Sequence, residues 1–416
     1  LLAAGVRAVA DGARGGVNAA LALALVAYGV DVAVGRLAAE GAPVGGIHLA
    51  VAALSLAATF AALTWSLDEE ASPASDGTPA AGPEGPLAET SPSTPSAFTA
   101  ADPKTNSTTE PKRNPTPEST AAPGSTAAPG FVGRVRAYVR MTKPRLMWLL
   151  SLVAAAGMVL GAGGLPTAGV AVPTLVGGAL SIGASGVFNN VLERDRDARM
   201  ARTSDRPVAT QAISVGRATA FGVALAVAAI ACFLAFVDVP AALLDLGAIL
   251  FYSVGYTVVL KPNTSWNVTV GGAVGAFPAL VGSAAVTGGV GLPSLLLGVV
   301  VFAWTPAHFY NLALAYEDDY RDGGYPMLPV VSTRAKTRRH ILGYLGATLL
   351  ATLAFAAVAN AHVAFVAATS AFGAVFLWAV VRLTRERTER AAFRAFHASN
   401  AFLGALLVAV VVSGVI

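Results

Sequence analysis

The sequence is poor in charge and nearly free of cysteine. Only 12% of its 416 residues are Asp, Glu, Lys or Arg, while 55% are hydrophobic and the mean hydropathy is +0.63. Soluble domains carry about twice that share of charged residues, so this class of protein is excluded. Cys232 is the one cysteine, which rules out a disulfide framework or a thiolate metal site within the chain. The composition is that of an integral membrane protein.

Apolar runs long enough to cross a membrane as helices, which takes roughly 20 residues, recur along the chain. Two early runs, at residues 17–34 and 44–66, predict a two-helix membrane hairpin within residues 1–67. Nine further spans predict an all-α, polytopic nine-helix bundle within residues 131–416. They lie at about 147–165, 171–192, 216–236, 240–260, 267–288, 291–314, 341–359, 363–381 and 396–416.

The segment between these two regions, residues 68–130, has a different composition. It is rich in Pro, Ser, Thr, Ala and Gly and has almost no large apolar side chains. Such a segment cannot bury enough surface to offset its chain entropy. We interpret it as a disordered linker, a tether without activity of its own.

The distribution of Lys and Arg predicts the side of the membrane that each loop faces, because cytoplasmic loops hold an excess of both. These residues precede the first of the nine spans and follow the second, fourth, sixth and eighth. The alternate loops, at about 161–170, 237–240, 288–293 and 360–362, contain neither. The bundle therefore has its N-terminal side in the cytoplasm, and we expect a plasma membrane. Orientation explains the net charge of +4 better than a nucleic-acid partner does.

One cytoplasmic loop, after the second span, is acidic as well as basic. Asn189, Glu193 and Asp197 are spaced i, i+4 and i+8, so on a helix they form one stripe of oxygen ligands. Mg²⁺ prefers few carboxylates together with waters and substrate phosphates, so the stripe suits a magnesium ion bridged to a diphosphate. A solvated helix end of mixed charge is the alternative interpretation.

A second acidic loop follows the sixth span and includes Glu317, Asp318, Asp319 and Asp322. Both loops fall on the same predicted side, where two acidic sites would hold two metal ions around one diphosphate and stabilise its departure. Nearby cations would neutralise the remaining phosphate charge, although each also fits the positive-inside bias. They are Arg194, Arg202, Arg206 and Lys261.

Two ionisable residues lie inside predicted spans. His308 precedes Asp319 by about three helical turns, and it either hydrogen-bonds a neighbour or contacts a porphyrin iron or propionate. Asp245 is in the fourth span, where a charge is costly and marks a functional candidate. Its position near the outer end also allows it simply to reach the interface.

Four ordered stretches resemble the protoheme IX farnesyltransferases, a branch of the UbiA-like intramembrane prenyltransferases. They are Met141–Arg145, Asn189–Pro207, Tyr256–Lys261 and Trp304–Val331, and the resemblance covers about residues 134–416. The pattern Asp-Tyr-x-x-x-Gly-x-Pro-Met-Leu-Pro-Val-Val, from Asp319 to Val331, favours the heme branch over the quinone branches.

The resemblance implies a central cavity open to lipid, with the diphosphate at the cytoplasmic face and the prenyl tail along the helices. It puts Asn189, Glu193 and Asp197 in a first magnesium motif and Asp319 in a second. The implied reaction transfers a farnesyl group from farnesyl diphosphate to the vinyl side chain of heme b, with addition of water. Its products are diphosphate and heme O for heme-copper terminal oxidases. Heme A synthase and oxidase assembly factors are the implied protein partners.

The same resemblance suggests that Phe188 or Tyr256 stabilises an allylic cation through its ring face. Three positions depart from the family pattern. Glu193 replaces the usual Asp, Asn190 is a neutral variant of a carboxylate position, and Thr305 replaces a Gln shortly before His308. The last change affects the expected heme contact, because Thr has no long amide.

Three other functions fit the sequence less well. A UbiA-like transferase acting on a quinone precursor or another lipid acceptor shares every feature except the heme pattern. A transporter would hold charge at the midplane of broken helices, whereas the charge here is at one predicted face. A membrane scaffold would not need two acidic clusters on one side.

Overall fold

The described part of the chain is a bundle of membrane-spanning helices. The computed structural model describes residues 131–414, and every regular element within that range is helical. A short helix, α1 (Phe131–Met141), precedes nine long ones. These are α2 (Pro144–Ala162), α3 (Ala168–Leu192), α4 (Val215–Phe236), α5 (Val239–Asn263), α6 (Asn267–Thr287), α7 (Leu292–Ala315), α8 (Arg334–Val358), α9 (Val363–Glu386) and α10 (Glu389–Ser413).

The nine predicted spans are confirmed in number and order among residues 131–414, and the protein is a multi-pass membrane protein. The predicted starts of two spans, at residues 341 and 396, were wrong by seven residues each. Helix α8 begins at Arg334 and α10 at Glu389, because polar residues continue both helices beyond their apolar runs. Thr333 and Thr388 cap these ends by accepting hydrogen bonds from backbone N–H groups. The predicted hairpin and linker lie outside the described residues.

Helices α2 and α6 cross at glycines. A Cβ atom added to Gly157 would collide with the backbone carbonyl of Ala279, and one added to Gly282 would collide with that of Ala154. Since lipid gives little hydrophobic drive for helix association, such close backbone approach and its van der Waals contact hold the pair together. This crossing fixes the position of α2, which also packs against α3.

Helix α5 is not regular. Residues Phe251–Leu260 form a π-helix, in which the N–H of Lys261 bonds to the carbonyl of Tyr256. Thr257 stabilises the segment with a hydroxyl hydrogen bond to the Tyr252 carbonyl, at 2.9 Å. π-Helical turns inside α-helices are rare and often occur at functional sites. This one carries Tyr252 and Tyr256 toward the end of the bundle where Lys261 lies.

The contribution of the α2–α6 crossing to stability can be measured by substitution. Replacing Gly282 with Val should lower the stability of the purified protein by about 1–3 kcal/mol, because the added atoms must push α6 away from the α2 backbone. The measurement is the thermal unfolding midpoint in detergent. Gly343→Ala is the control, since a Cβ there meets no atom within 4 Å. An equal effect of both substitutions would contradict the role of the crossing.

Candidate active site

The acidic stripe predicted after the second span is present at the end of α3. Helix α3 ends at Leu192 and is followed by the short helix Arg194–Asp197. The N–H of Glu193 bonds to the carbonyl of Asn189 at 3.0 Å, and the N–H of Asp197 bonds to the carbonyl of Glu193 at 2.8 Å. Helical register thus persists beyond the helix end, which keeps the three side chains on one face.

Two cations neutralise the carboxylates of this stripe. Lys261 Nζ lies 2.5 Å from Glu193 Oε1, and Arg206 Nη1 lies 2.6 Å from Asp197 Oδ2 and 3.7 Å from Glu193 Oε2. Both carboxylates are buried, Asp197 completely. We call Glu193, Asp197, Arg206 and Lys261 the charge cluster. Buried ions are stable only when they are paired. The structure at this end of the bundle therefore depends on these ion pairs.

Lys143 connects the start of α2 to the stripe. Its Nζ donates a 2.5 Å hydrogen bond to Asn189 Oδ1 and lies 3.4 Å from the hydroxyl of Tyr252. The backbone of Lys143 is left-handed, with φ of 55°, which is a strained conformation for a residue with a side chain. The turn approaches α3 closely, since a Cβ on Gly186 would lie 2.8 Å from the Met141 carbonyl. The strained backbone of Lys143 therefore directs its side-chain amine toward Asn189.

Burial and neighbouring charges shift the titration of these groups. Burial, reinforced by Arg206, lowers the pKa of Lys143 to about 7. Burial alone would raise the pKa of Glu193, but Lys261 and Lys143 outweigh it and hold that pKa below its usual value. Burial raises the pKa of Asp197 and Arg206 opposes it only in part. Asp197 also has one buried oxygen, Oδ1, with no hydrogen-bond partner.

The second acidic loop packs directly against the first. Asp319 accepts hydrogen bonds from the backbone N–H groups of Ala201 and Arg202, at 3.0 and 3.1 Å. In return, Arg196 donates to the carbonyl of Gly324 at 2.8 Å and Arg199 donates to that of Gly323 at 3.3 Å. The expectation that both acidic loops lie at the same end of the bundle is met.

Tyr325 joins the second loop to the charge cluster. Its buried ring lies under Lys261 Nζ, 4.4 Å from the ring centroid, and under the Arg196 guanidinium, at 4.8 Å. Arg202 lies over the rings of Tyr316 and Tyr320 in the same way, at 5.0 and 5.7 Å. Aromatic faces attract cations. The tyrosines thus hold the cations of one loop against the other loop.

The predicted site residues separate into two groups. Asn189, Glu193, Asp197, Arg206 and Lys261 come together, and Asp319 with Arg202 lies beside them. Arg194 does not join them, because its guanidinium is exposed and pairs with Asp195 at 3.3 Å. Within residues 131–414, no three His, Cys, Asp or Glu side chains converge as a ready-made metal-ligand group.

The side chains of the three residues predicted to bind substrate pack against neighbouring helices. Phe188 packs on Gly222 of α4, and Tyr256 packs on Gly271 of α6. His308 is stacked between Trp304 and Phe396, with ring centroids 4.2 and 4.4 Å away, and its Nδ1 is 2.7 Å from the hydroxyl of Ser399. The contact between α7 and α10 at His308 matches the simpler of the two interpretations, a histidine hydrogen-bonded to a neighbour.

Sequence reasoning missed Lys143, Tyr252 and Tyr325 as members of the site. Lys143 and Tyr325 both occur in stretches that carry the family resemblance, which was a usable signal. Tyr252 gives no such signal, because its proximity to Lys143 depends on the packing of helices far apart in sequence.

An apolar cavity opens beside the charge cluster, between α2, α3, α5 and α6. Lys143 and Tyr252 lie at the end near the cluster, and Leu150, Ile182 and Phe277 are among the apolar side chains along its walls. Asp245 is the one acidic residue in the lining. The arrangement combines charge at one end with an apolar interior, which suits a ligand that has a charged head and a hydrocarbon tail.

Solved structures share this architecture. A digeranylgeranylglyceryl phosphate synthase structure matches with a TM-score of 0.57 and 13% identity, over 68% of this chain and 99% of that one. A UbiA homologue from Archaeoglobus fulgidus, bound to GPP and Mg²⁺, matches with a TM-score of 0.51 and 17% identity, over 66% and 99%. At these identities the likeness establishes the fold alone.

Sequence comparison is more specific. A protoheme IX farnesyltransferase from Natronomonas pharaonis is 50% identical over 396 residues, which is 95% of this chain and 81% of that protein. The family model described as the UbiA prenyltransferase family matches residues 149–406, a range that contains the acidic stripe, the second acidic loop and most of the cavity. The chain therefore belongs to the UbiA prenyltransferase family and, within it, to the protoheme IX farnesyltransferases.

Proposed function

We propose that this protein transfers a farnesyl group from farnesyl diphosphate to the vinyl side chain of heme b, with addition of water, and so produces heme O. The observation that carries the proposal is a buried charge cluster beside an apolar cavity, with Lys143 lining the cavity and contacting the acidic stripe. The 50% identity to a protoheme IX farnesyltransferase supports heme b as the acceptor.

The diphosphate would bind at the charge cluster. Positive charge around the acidic stripe comes from Lys143, Arg206 and Lys261. They contact Asn189, Asp197 and Glu193, respectively, and all three cations are at least partly shielded from water. Charge-assisted hydrogen bonds to phosphate oxygens are strong in such surroundings, and Arg binds two oxygens at once. The prenyl tail would then extend into the cavity that begins at Lys143 and Tyr252.

The cluster also fits Mg²⁺. Asn189, Glu193 and Asp197 offer the amide and carboxylate oxygens that this ion prefers, and Asp319 lies on the adjoining loop. The unpartnered Oδ1 of Asp197 is the specific sign, because a buried lone oxygen is costly unless a ligand contacts it. We propose these four residues as the magnesium site. When bound, the ion would neutralise charge that accumulates on the departing diphosphate.

The remaining chemistry depends on the donor bond and the acceptor. The bond between the allylic carbon and the diphosphate oxygen breaks, and the diphosphate leaves with the electron pair. Lys143, Arg206 and Lys261 stabilise that charge. The vinyl carbon forms the new carbon–carbon bond, and water adds to the adjacent carbon with loss of a proton. The apolar cavity keeps other water away from the allylic carbon.

We further propose that the site faces the cytoplasm from a plasma membrane. The loops that carry the charge cluster are those rich in Lys and Arg, as the positive-inside rule requires. Heme A synthase or terminal oxidase assembly factors would be the partners that receive the product.

The direct test is to incubate membranes that contain the protein with heme b, farnesyl diphosphate and Mg²⁺, and to identify the extracted hemes by mass spectrometry. We expect a heme heavier by one farnesyl group and one hydroxyl group, absent after chelation with EDTA. No new heme, with a control synthase active, would refute farnesyl transfer to heme b, and repeating the assay with geranylgeranyl diphosphate would separate a longer donor from another acceptor. Quinone precursors and other lipid acceptors would then be tried in the same assay.

Replacing Asp197 with Asn tests the magnesium assignment. The change keeps the size of the side chain but removes its charge, and it should lower kcat/KM by about a hundredfold, as loss of one electrostatic group in an active site does. Asp195→Asn is the matched control, because Asp195 is on the same short helix with its side chain 81% exposed. Normal turnover by the Asp197 variant would refute the assignment.

Replacing Lys143 with Met tests the role of the Lys143 amine. Loss of the amine should raise KM for farnesyl diphosphate about tenfold, because one charge-assisted contact to the phosphate is lost. Steady-state kinetics at varied donor concentration would measure it. Arg145→Met removes a cation two residues away that is exposed, and it should leave KM unchanged. Equal KM values for all three proteins would exclude Lys143 from the diphosphate site.

A further inference from the structure

A polar pair lies in the lining of the apolar cavity, about two helical turns along α3 from the acidic stripe. The hydroxyl of Ser181 on α3 donates a hydrogen bond to Asp245 Oδ2 on α5, and both side chains are buried at 4% exposure. Both residues line the cavity. We call this pair the crossbar. Neither residue has a place in the chemistry at the charge cluster, and an acid inside a membrane span is too costly to be incidental.

The crossbar lies partway along the cavity. Ser181 precedes Asn189 by eight residues on α3, about 12 Å along the helix axis. The cavity continues beyond it, because Thr174 and Leu175 also line the space and are about 10 Å further along α3. The crossbar therefore marks a level along the cavity, with one part of the space nearer the charge cluster and another part deeper.

These distances compare closely with prenyl chains. With carbon–carbon bonds of about 1.5 Å, an extended farnesyl chain is on the order of 14 Å long and a geranylgeranyl chain about 5 Å longer. A farnesyl chain with its diphosphate at Lys143 and Asn189 would reach the crossbar. A geranylgeranyl chain would have to pass it.

We propose that the Ser181–Asp245 crossbar sets the longest prenyl chain that the cavity accepts. This rests on the proposed function only in taking the cavity as the prenyl site. A longer chain must separate the two side chains and leave a buried hydroxyl and carboxyl without partners, facing hydrocarbon. Such unpaired groups discriminate strongly between ligands, far more than added apolar contact compensates.

The experiment compares donors of two lengths. Purified full-length protein with Mg²⁺ is titrated with farnesyl diphosphate and with geranylgeranyl diphosphate, and the ratio of their Kd values is obtained by calorimetry. Asp245→Ala should shift that ratio toward the longer donor by about tenfold, since it opens the deeper part of the cavity. Ser181→Ala should shift it in the same direction by less, because the carboxyl remains.

Two controls separate specificity from structure. Asp245→Asn keeps a side chain of the same size that can accept from Ser181, and it should retain the original ratio. Asp238→Ala removes an acid from the same helix, where it caps the N-terminus by accepting from the N–H of Ala241. It should lower stability without changing the ratio. The paired comparison within one protein preparation cancels any general loss of folded material.

An unchanged ratio in both Asp245→Ala and Ser181→Ala would overturn the proposal, as would an equal weakening of both donors, which marks a purely structural hydrogen bond. Because heme is absent from this titration, the result is independent of the acceptor. A wild-type protein that binds both donors but does not modify heme b would refute the proposed function and leave the crossbar intact.

Discussion

The structure at the functional end of the bundle depends on the pairing of buried charge. A carboxylate or ammonium group removed from water is stable only beside an opposite charge and hydrogen bonds. Glu193 and Asp197 meet this condition through Lys261 and Arg206, which come from α5 and from the loop after α3. Each ion thereby fixes the position of a separate chain segment. The four residues cannot be shifted singly without leaving a charge unpaired in a dry environment.

This constraint extends to the surrounding groups. Tyr325 holds Lys261 and Arg196 on its ring, so the second acidic loop is positioned by one cation of the first loop and one of α5. Lys143 completes the ring of contacts from the opposite side, through Asn189. Four segments distant in sequence thus converge on one region. The hydrocarbon cavity opens beside this region, and the polarity changes sharply within a few residues of Lys143.

Much of the fold could be predicted from the sequence because the membrane imposes a strong length and hydropathy requirement. The nine spans followed from it, whereas the starts of α8 and α10 did not, since Arg334 and Glu389 are polar and hydropathy ignores helical turns in water. The acidic stripe was predictable because helical spacing persists through Glu193. The contacts of Lys143 were not, because a residue 46 positions away supplies its partner. The orientations of Phe188 and His308 also depend on which neighbouring helix offers space, as Gly222 does for Phe188.

The π-helix in α5 has a consequence for how this protein can diverge. Bonds from i to i+5 wind the backbone by fewer degrees per residue than an α-helix does. The segment Phe251–Leu260 therefore determines the direction around the helix axis in which Lys261 projects, independently of the direction in which Asp245 projects. Insertions or deletions of single residues within that segment would turn one half of α5 relative to the other. The proposed diphosphate site and the proposed prenyl cavity can thus evolve as separable traits along a single helix.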